Sequence, residues 1–211
     1  CVMFDNFFRE LSKKRDFKRL KDKKYEFLFE EDNIGEYVVF DTETTGLNPK
    51  KDDILSIGAV KIKDNKILTS QTFEMFVQNY CDISSESKKI HGIREVDLIN
   101  AQTTLEVIPK FLEFIGSRPL VGYYLEFDVA MINKYVKPML GIKLPNKQIE
   151  VSEIYYNQKI EFIPQGNIDL KFDTILQNCG IPNMGAHNAV NDAIMTAMIY
   201  LKLIKGNNNV R

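Results

Sequence analysis

Cysteine, histidine and long apolar runs are all scarce in this chain. Three cysteines in 211 residues, Cys1, Cys81 and Cys179, stand at unrelated spacings with no CxxC pair. An odd count without paired spacing argues against a disulfide framework or a zinc site, and leaves the thiols as buried or incidental groups. No apolar run approaches the ~18 residues that a membrane span needs. The first ten residues are charged and lack the apolar core of a signal peptide, so the expectation is a cytosolic protein without membrane contact. Internal repeats and low-complexity tracts are absent. Histidine occurs twice, at His91 and His187.

What is present is an ordinary globular composition, 44% hydrophobic and 27% charged. A chain of this length buries roughly 70% of its unfolded surface, enough for a core that needs no covalent staple. One domain with an appendage is expected. The formal net charge of −1 conceals an asymmetry. Residues 1–25 carry nine Lys or Arg against four acids, a local charge of +5, so the rest of the chain totals −6. A basic arm on an acidic body points to a polyanionic partner or, more simply, to a solvated helix face. The expected division is a basic helical N-terminal arm over residues 1–33, a main domain over 34–205 and a polar tail over 206–211.

In the arm, Phe4, Phe7, Phe8 and Leu11 recur at helical spacings, and a second apolar patch follows at Tyr25, Phe27, Leu28 and Phe29. Asp32-Asn33-Ile34-Gly35 reads as a break. Tyr37–Phe40 is apolar on both faces, as a central strand should be. Ile54–Lys63 and Lys66–Val77 read as a hairpin turned by Asp64-Asn65. Helical patterns follow near 84–90, 104–116, 126–137, 169–179 and 188–204, interrupted by short strands at Leu120-Val121 and Ile149–Val151. Asp169 and Gly180 are placed to bracket one helix as N-cap and C′ residues. Ala189, Ala193 and Ala197 give the last helix a face small enough to lie close against a sheet. The pattern is α/β, with a mixed sheet.

Three clusters carry chemistry. Asp41-Thr42-Glu43-Thr44-Thr45-Gly46 follows the apolar strand, and positions i and i+2 of a strand point to one face. Asp41 and Glu43 therefore project together and repel, at about 4 kcal/mol for charges 4 Å apart and an effective dielectric of 20. Cations relieve that repulsion, and an all-oxygen ligand set suits Mg²⁺ or Mn²⁺ rather than zinc. His187-Asn188-Ala189-Val190-Asn191-Asp192 opens the last helix and can set a proton acceptor beside an acid. Between them, Gly122 to Asp128 runs from a strand into a helix with Asp128 in its first turn. Taken singly, each has a simpler explanation: a turn cap, a surface histidine, an acid complementing a helix dipole.

Together and in this order, the clusters resemble the DEDDh 3′→5′ exonucleases, the family of the proofreading epsilon subunit of bacterial DNA polymerase III. The motif DxExTG matches Asp41, Glu43, Thr45 and Gly46, the FD pair matches Phe127 and Asp128, and HxAxxD matches His187, Ala189 and Asp192. The resemblance covers about residues 36–205. It implies a ribonuclease H-like mixed sheet flanked by helices. It also implies two divalent cations, Mg²⁺ or Mn²⁺, held by Asp41, Glu43, Asp128 and Asp192, with His187 taking the proton of the attacking water. By the same likeness, Thr44 and Thr45 would meet the terminal 3′-OH through their backbone, and Leu47 would wedge against the terminal base. His91-Gly92-Ile93 corresponds to an HGIT segment near the substrate, with Arg94 in place of Thr. Asn188 stands where the Tyr-containing sister group has its tyrosine.

Two departures shape the expectation. Relatives often carry His-Asn before the FD pair where this chain has Tyr123 and Tyr124, which affects the nucleotide pocket built by Tyr124 and Phe127. The sequence also stops soon after its last helix, where the epsilon subunit carries an extension that binds clamp and polymerase, so association with a polymerase or clamp is not expected from it. DNA is favoured as substrate, with RNA as the alternative within the family. A non-catalytic nucleic-acid or partner-binding module is the alternative of another class, disfavoured because all four carboxylates and the histidine are present.

Overall fold

The strand expected at Tyr37–Phe40 is the middle of a five-stranded mixed sheet ordered β3-β2-β1-β4-β5. The computed structural model describes residues 2–31, 35–79, 83, 85–162, 167–185 and 187–208, with backbone alone for 2–9, 85–86, 161–162 and 206–208. In chain order the elements are α1 (Val2–Arg19), a 3₁₀-helix (Lys23–Phe29), β1 (Glu36–Thr44), β2 (Ile54–Lys63), β3 (Lys66–Phe76), α2 (Ser85–His91) and α3 (Glu95–Leu98). They continue as α4 (Thr104–Ile115), β4 (Leu120–Gly122), α5 (Leu125–Leu140), β5 (Gln148–Glu150), α6 (Val151–Phe162), α7 (Phe172–Cys179) and α8 (Ala189–Asn208).

β1 pairs antiparallel with β2 and parallel with β4, so the sheet changes direction beside its central strand. Asp64 and Asn65 take φ of 50° and 59°, the left-handed pair that closes a two-residue hairpin between β2 and β3. Period two divides β1 between two cores. Val38 and Phe40 face α4 and α5, packing with Phe111, Met131 and Ile132, whereas Val39 faces the layer of α6, α7 and α8 with Val60, Val151 and Ala193. By the same alternation Asp41 and Glu43 lie on the α8 side and Thr42 on the α5 side.

The alanine face of α8 is buried as its sequence predicts, with Ala193 and Ala197 both at 0% exposure. Gly58 of β2 is what lets the helix come so near: a Cβ there would stand 2.1 Å from the Ala189 carbonyl carbon. Tyr25 and Leu28 of the 3₁₀-helix are buried in the same core as α4 and α5, so the second half of the arm is packed on the domain. α1 joins at the far end of α5, where the Lys21 N–H donates to the Leu140 carbonyl at 3.0 Å.

Several elements differ from expectation. α7 begins at Phe172 rather than Asp169, and its N-cap is Lys171. The Asp169 carboxylate instead accepts from the Lys171 N–H and the Thr174 hydroxyl in a turn ahead of the helix. Gly180 does end the helix, at φ 66°. The second of the two short apolar strands stops at Glu150, and Val151 opens α6, a helix with weak amphipathic patterning. α8 continues to Asn208, into the segment expected as a polar tail. Cys1, Cys81, residues 32–34 of the expected break and residues 209–211 of the tail lie outside the described residues, as do the side chains of Phe4, Phe7 and Phe8. Cys179 is a buried thiol. Among the described residues no helix is long and apolar enough to cross a membrane.

Candidate active site

β1 runs past its apolar core into the acids, so Asp41 to Thr44 are still strand. A register shift between Glu43 and Thr44 marks a bulge, an irregularity that re-aims side chains at a strand end. Asp41 pairs across the ladder with Gly58. Because Gly58 admits the first turn of α8, Asp192 is carried over the same strand end. Asp41, Glu43 and Asp192 each present one carboxylate oxygen, all within 4.8 Å of one another.

Asp128 arrives from the other face. It is 3% exposed, and its Oδ1 accepts from the Thr42 backbone N–H at 3.0 Å and from the Thr42 hydroxyl. The residue between the two acids of the first motif thus clamps the acid of the second. Glu150 positions the helix that carries Asp128. Its carboxylate accepts from Leu125 N–H at the start of α5 and from Ser152 N–H at the start of α6. Tyr124, with φ 54°, makes the turn into α5.

His187 also sits in the left-handed region, at φ 67°. Its backbone N–H donates to Asp192 Oδ2 at 2.9 Å, and Asn188 closes the start of α8 by accepting from the Asn191 N–H. Asp192 Oδ1 is buried without a hydrogen-bond partner. A buried anionic oxygen without a donor is unfavourable unless a cation meets it.

The electrostatics agree. Burial first, then the charges of Asp128, Glu43 and Asp192, push the Asp41 carboxyl well above the usual range. Burial, then Asp192 and Asp128, raise Glu43 to about 7. Burial raises Asp128 to about 7 against the opposing Thr42 hydrogen bonds. Asp192 is raised by burial, with the His187 backbone bond pulling the other way. All four acids are therefore strained as anions, and three converging oxygens with one orphaned lone pair fit a hard divalent cation.

A stability test follows. Glu43 and Asp128 have folded-state values near 7, above their ordinary values of 4.5 and 3.8. Between those limits the folded state binds more protons than the unfolded state, so stability falls as pH rises. In chelator, the melting temperature should rise as pH is lowered from 8 to 5.5, and Mg²⁺ or Mn²⁺ should flatten that dependence. A melting temperature independent of pH in chelator would contradict the charge repulsion described.

The acids line a cleft of about 390 Å³, together with Thr44, Leu47, His91, Tyr124, Phe127 and His187. All the proposed site residues except Thr45 line it. Thr45 is held in the turn after β1: its N–H donates to the Asp53 carbonyl, its hydroxyl donates to Asp52 Oδ1, and its carbonyl accepts from Ser87. Leu47 projects from that turn at 86% exposure, an apolar tip with little packing of its own. His91 Nδ1 accepts from the Ile93 N–H, and the ring lies beside the Thr44 backbone. Burial, then the nearby His187, lowers its pKa. Arg94, at the Thr position of the HGIT likeness, stands at the N-cap of α3 and donates from its backbone N–H and its guanidinium to the Asp97 carboxylate.

The aromatic wall was partly missed. Tyr123 packs on Tyr124 at 4.8 Å and on Phe172 at 4.9 Å between ring centroids, and its hydroxyl donates to the Leu170 carbonyl. Burial pushes the Tyr123 phenol up to about 12. Phe172 and Asp173 also line the cleft. Their sequence cue, an aromatic-acid pair opening a helix, has the same form as Phe127-Asp128.

A model of the exonuclease family, RNase_T, matches residues 38–200. The PolC-type DNA polymerase III of Caldanaerobacter subterraneus subsp. tengcongensis is 39% identical over 171 residues, 81% of this chain and 12% of that protein. The DNA polymerase III subunit epsilon of Aquifex aeolicus is 31% identical over 82% of this chain and 84% of its own length. The fold matches Escherichia coli exonuclease I in complex with a dT13 oligonucleotide, with TM-score 0.68 and 14% identity over 83% of this chain and 42% of that one. It also matches exonuclease X in complex with 5′ overhanging duplex DNA, with TM-score 0.64 and 20% identity over 82% and 93% of the two chains. This chain thus spans about an eighth of the PolC-type relative. With the motifs, the ribonuclease H-like sheet and a family match over most of its length, the chain belongs to the exonuclease family.

Proposed function

We propose that the chain is a metal-dependent 3′→5′ exonuclease that acts on DNA, preferring single-stranded ends, and releases nucleoside 5′-monophosphates. The observation that carries this reading is the convergence of Asp41, Glu43 and Asp192 on one point, with the unpartnered Asp192 Oδ1, below an exposed histidine. Asp41, Glu43, Asp192 and, beside them, Asp128 would hold two Mg²⁺ or Mn²⁺ ions, which supply charge neutralisation at the phosphate and acidify water.

The chain's own groups have separate tasks. Leu47 and the rings of Tyr124 and Phe127 would give the terminal nucleotide apolar surfaces. His187, oriented through its backbone bond to Asp192, takes a proton as the water oxygen bonds to phosphorus. The bond from phosphorus to the 3′-oxygen of the preceding nucleotide breaks, and that oxygen takes a proton from solvent to end as the new 3′-OH. Thr42 keeps Asp128 fixed while charge shifts. DNA is favoured over RNA because the similar curated proteins are DNA polymerase chains.

Matched 5′-labelled DNA and RNA single strands, digested by wild type and by His187→Ala in Mg²⁺, test the reading. Wild type should shorten DNA faster than RNA, and the variant should be slower by roughly 10²–10⁴-fold, the usual contribution of a positioned proton acceptor. Equal rates for the variant would remove His187 from the mechanism. Faster RNA digestion would reassign the substrate.

A further inference from the structure

A second groove of about 630 Å³, built from the same loop and the same helix as one side of the cleft, is lined by Lys50, Lys134, Lys137 and Lys143, with Glu126 as its one carboxylate. The loop after β1 gives Leu47 to the cleft and Pro49 and Lys50 to the groove; the first turn of α5 gives Phe127 to the cleft and Glu126 to the groove. Glu126, Val129, Ala130, Asn133, Lys134 and Lys137 recur at steps of three and four, so one face of α5 forms the groove floor.

The lysines are not equivalent. Lys134 Nζ is taken up by the Asp53 carboxylate and the Asp52 carbonyl, and thereby anchors the loop that carries Leu47. Lys50, Lys137 and Lys143 are exposed, and none is ion-paired among the described residues. Lys137 lies nine residues beyond Asp128, or about 13 Å along the helix. Next to Lys137, the Pro138 carbonyl accepts from Lys21 Nζ, two residues past the end of α1. The basic arm therefore stands at the far end of the groove rather than over the acids.

We infer that this groove holds the phosphate backbone of the substrate strand behind the 3′ end, with Lys50, Lys137 and Lys143 as its phosphate contacts and the arm continuing the track. The inference rests on the nuclease reading above. An unpaired cationic row on an acidic body, opening beside a cleft that takes the strand end, fits a polyanion running away from the reaction. Contacts of this kind release counterions and recognise backbone charge rather than sequence.

The test combines Lys50→Gln, Lys137→Gln and Lys143→Gln, with the corresponding three Arg substitutions as the rescue. Anisotropy of a labelled long single strand, titrated in chelator to prevent hydrolysis, reads binding separately from cleavage. Three lost phosphate contacts should weaken binding by ~10-fold or more near 0.1 M salt and lower the log–log salt slope by about 2. The Arg set should restore both. In Mg²⁺, cleavage of a dinucleotide should be unchanged in the Gln set, while KM for the long strand rises and kcat holds. Unchanged binding and salt slope, or equal losses on dinucleotide and long strand, would overturn the groove assignment. Failure of wild type to cleave either substrate in Mg²⁺, with long-strand binding still lysine-dependent, would instead overturn the nuclease reading and leave the groove standing.

Discussion

Asp41→Asn should yield a protein that is better folded and chemically silent. Asp41 is strained as an anion, raised by burial and by three neighbouring carboxylates. Replacing it by a neutral isostere removes that repulsion, so in chelator at pH 8 the melting temperature should rise above that of wild type. The same change takes a ligand from the centre of the cluster, and the rate should fall by about 10⁴-fold or more, equivalent to ~5.5 kcal/mol of transition-state stabilisation. Mg²⁺ should then stabilise the variant far less than wild type. Opposite movement of stability and activity distinguishes a site strained for its chemistry from an acid that supports the fold. A variant both inactive and destabilised in chelator would contradict the assignment.

Gly58→Ala should damage the enzyme from a position that touches no substrate. The added methyl would meet the Ala189 backbone, whose carbonyl carbon lies 2.1 Å from the Cβ position, and backbone yields less readily than a flexible side chain. Overpacking of this kind costs about 1–3 kcal/mol, or a fall in melting temperature of roughly 2–4 °C per kcal/mol in a domain of this size. The larger effect should be on activity. α8 must move off β2, and Asp192 and His187 move with it, away from Asp41 on the paired strand. A displacement near 1 Å at a reacting geometry can lower the rate by ~10². kcat should fall more than KM rises, since the strand-binding walls at Leu47 and Phe127 do not ride on α8. Wild-type kcat in a folded Gly58→Ala protein would show that the close approach does not set the site.

The chemistry-bearing residues were more legible than the scaffold that aims them. Asp41 and Glu43 could be placed on one face because a strand's period is two, and the apolar run before them fixed where the strand was. Asp64-Asn65 could be read as a turn because few other residues tolerate positive φ at both positions. Gly58 could not be read: its reason is a helix that begins more than 130 residues later, and a glycine inside a strand signals only some close approach. Thr42 was invisible for a similar cause, since its partner Asp128 lies 86 residues away. Asp169 misled because an acid before a helix can close a preceding turn as well as cap the helix. α6 escaped notice because its apolar residues do not gather on one clean face, although Val151 and Tyr155 are buried. Thr45 could be read as part of a tight turn, but not the bonds from its polar groups to Asp52, Asp53 and Ser87 that hold that turn.

The most direct measurement is digestion of a 5′-labelled DNA single strand with a free 3′-OH beside the same strand with its 3′ end chemically blocked, each in Mg²⁺, in Mn²⁺ and in chelator. The account expects a ladder that shortens from the free 3′ end with release of nucleoside 5′-monophosphates, an intact blocked strand, and no products in chelator. Internal cuts in the blocked strand, or undiminished cleavage in chelator, would contradict it.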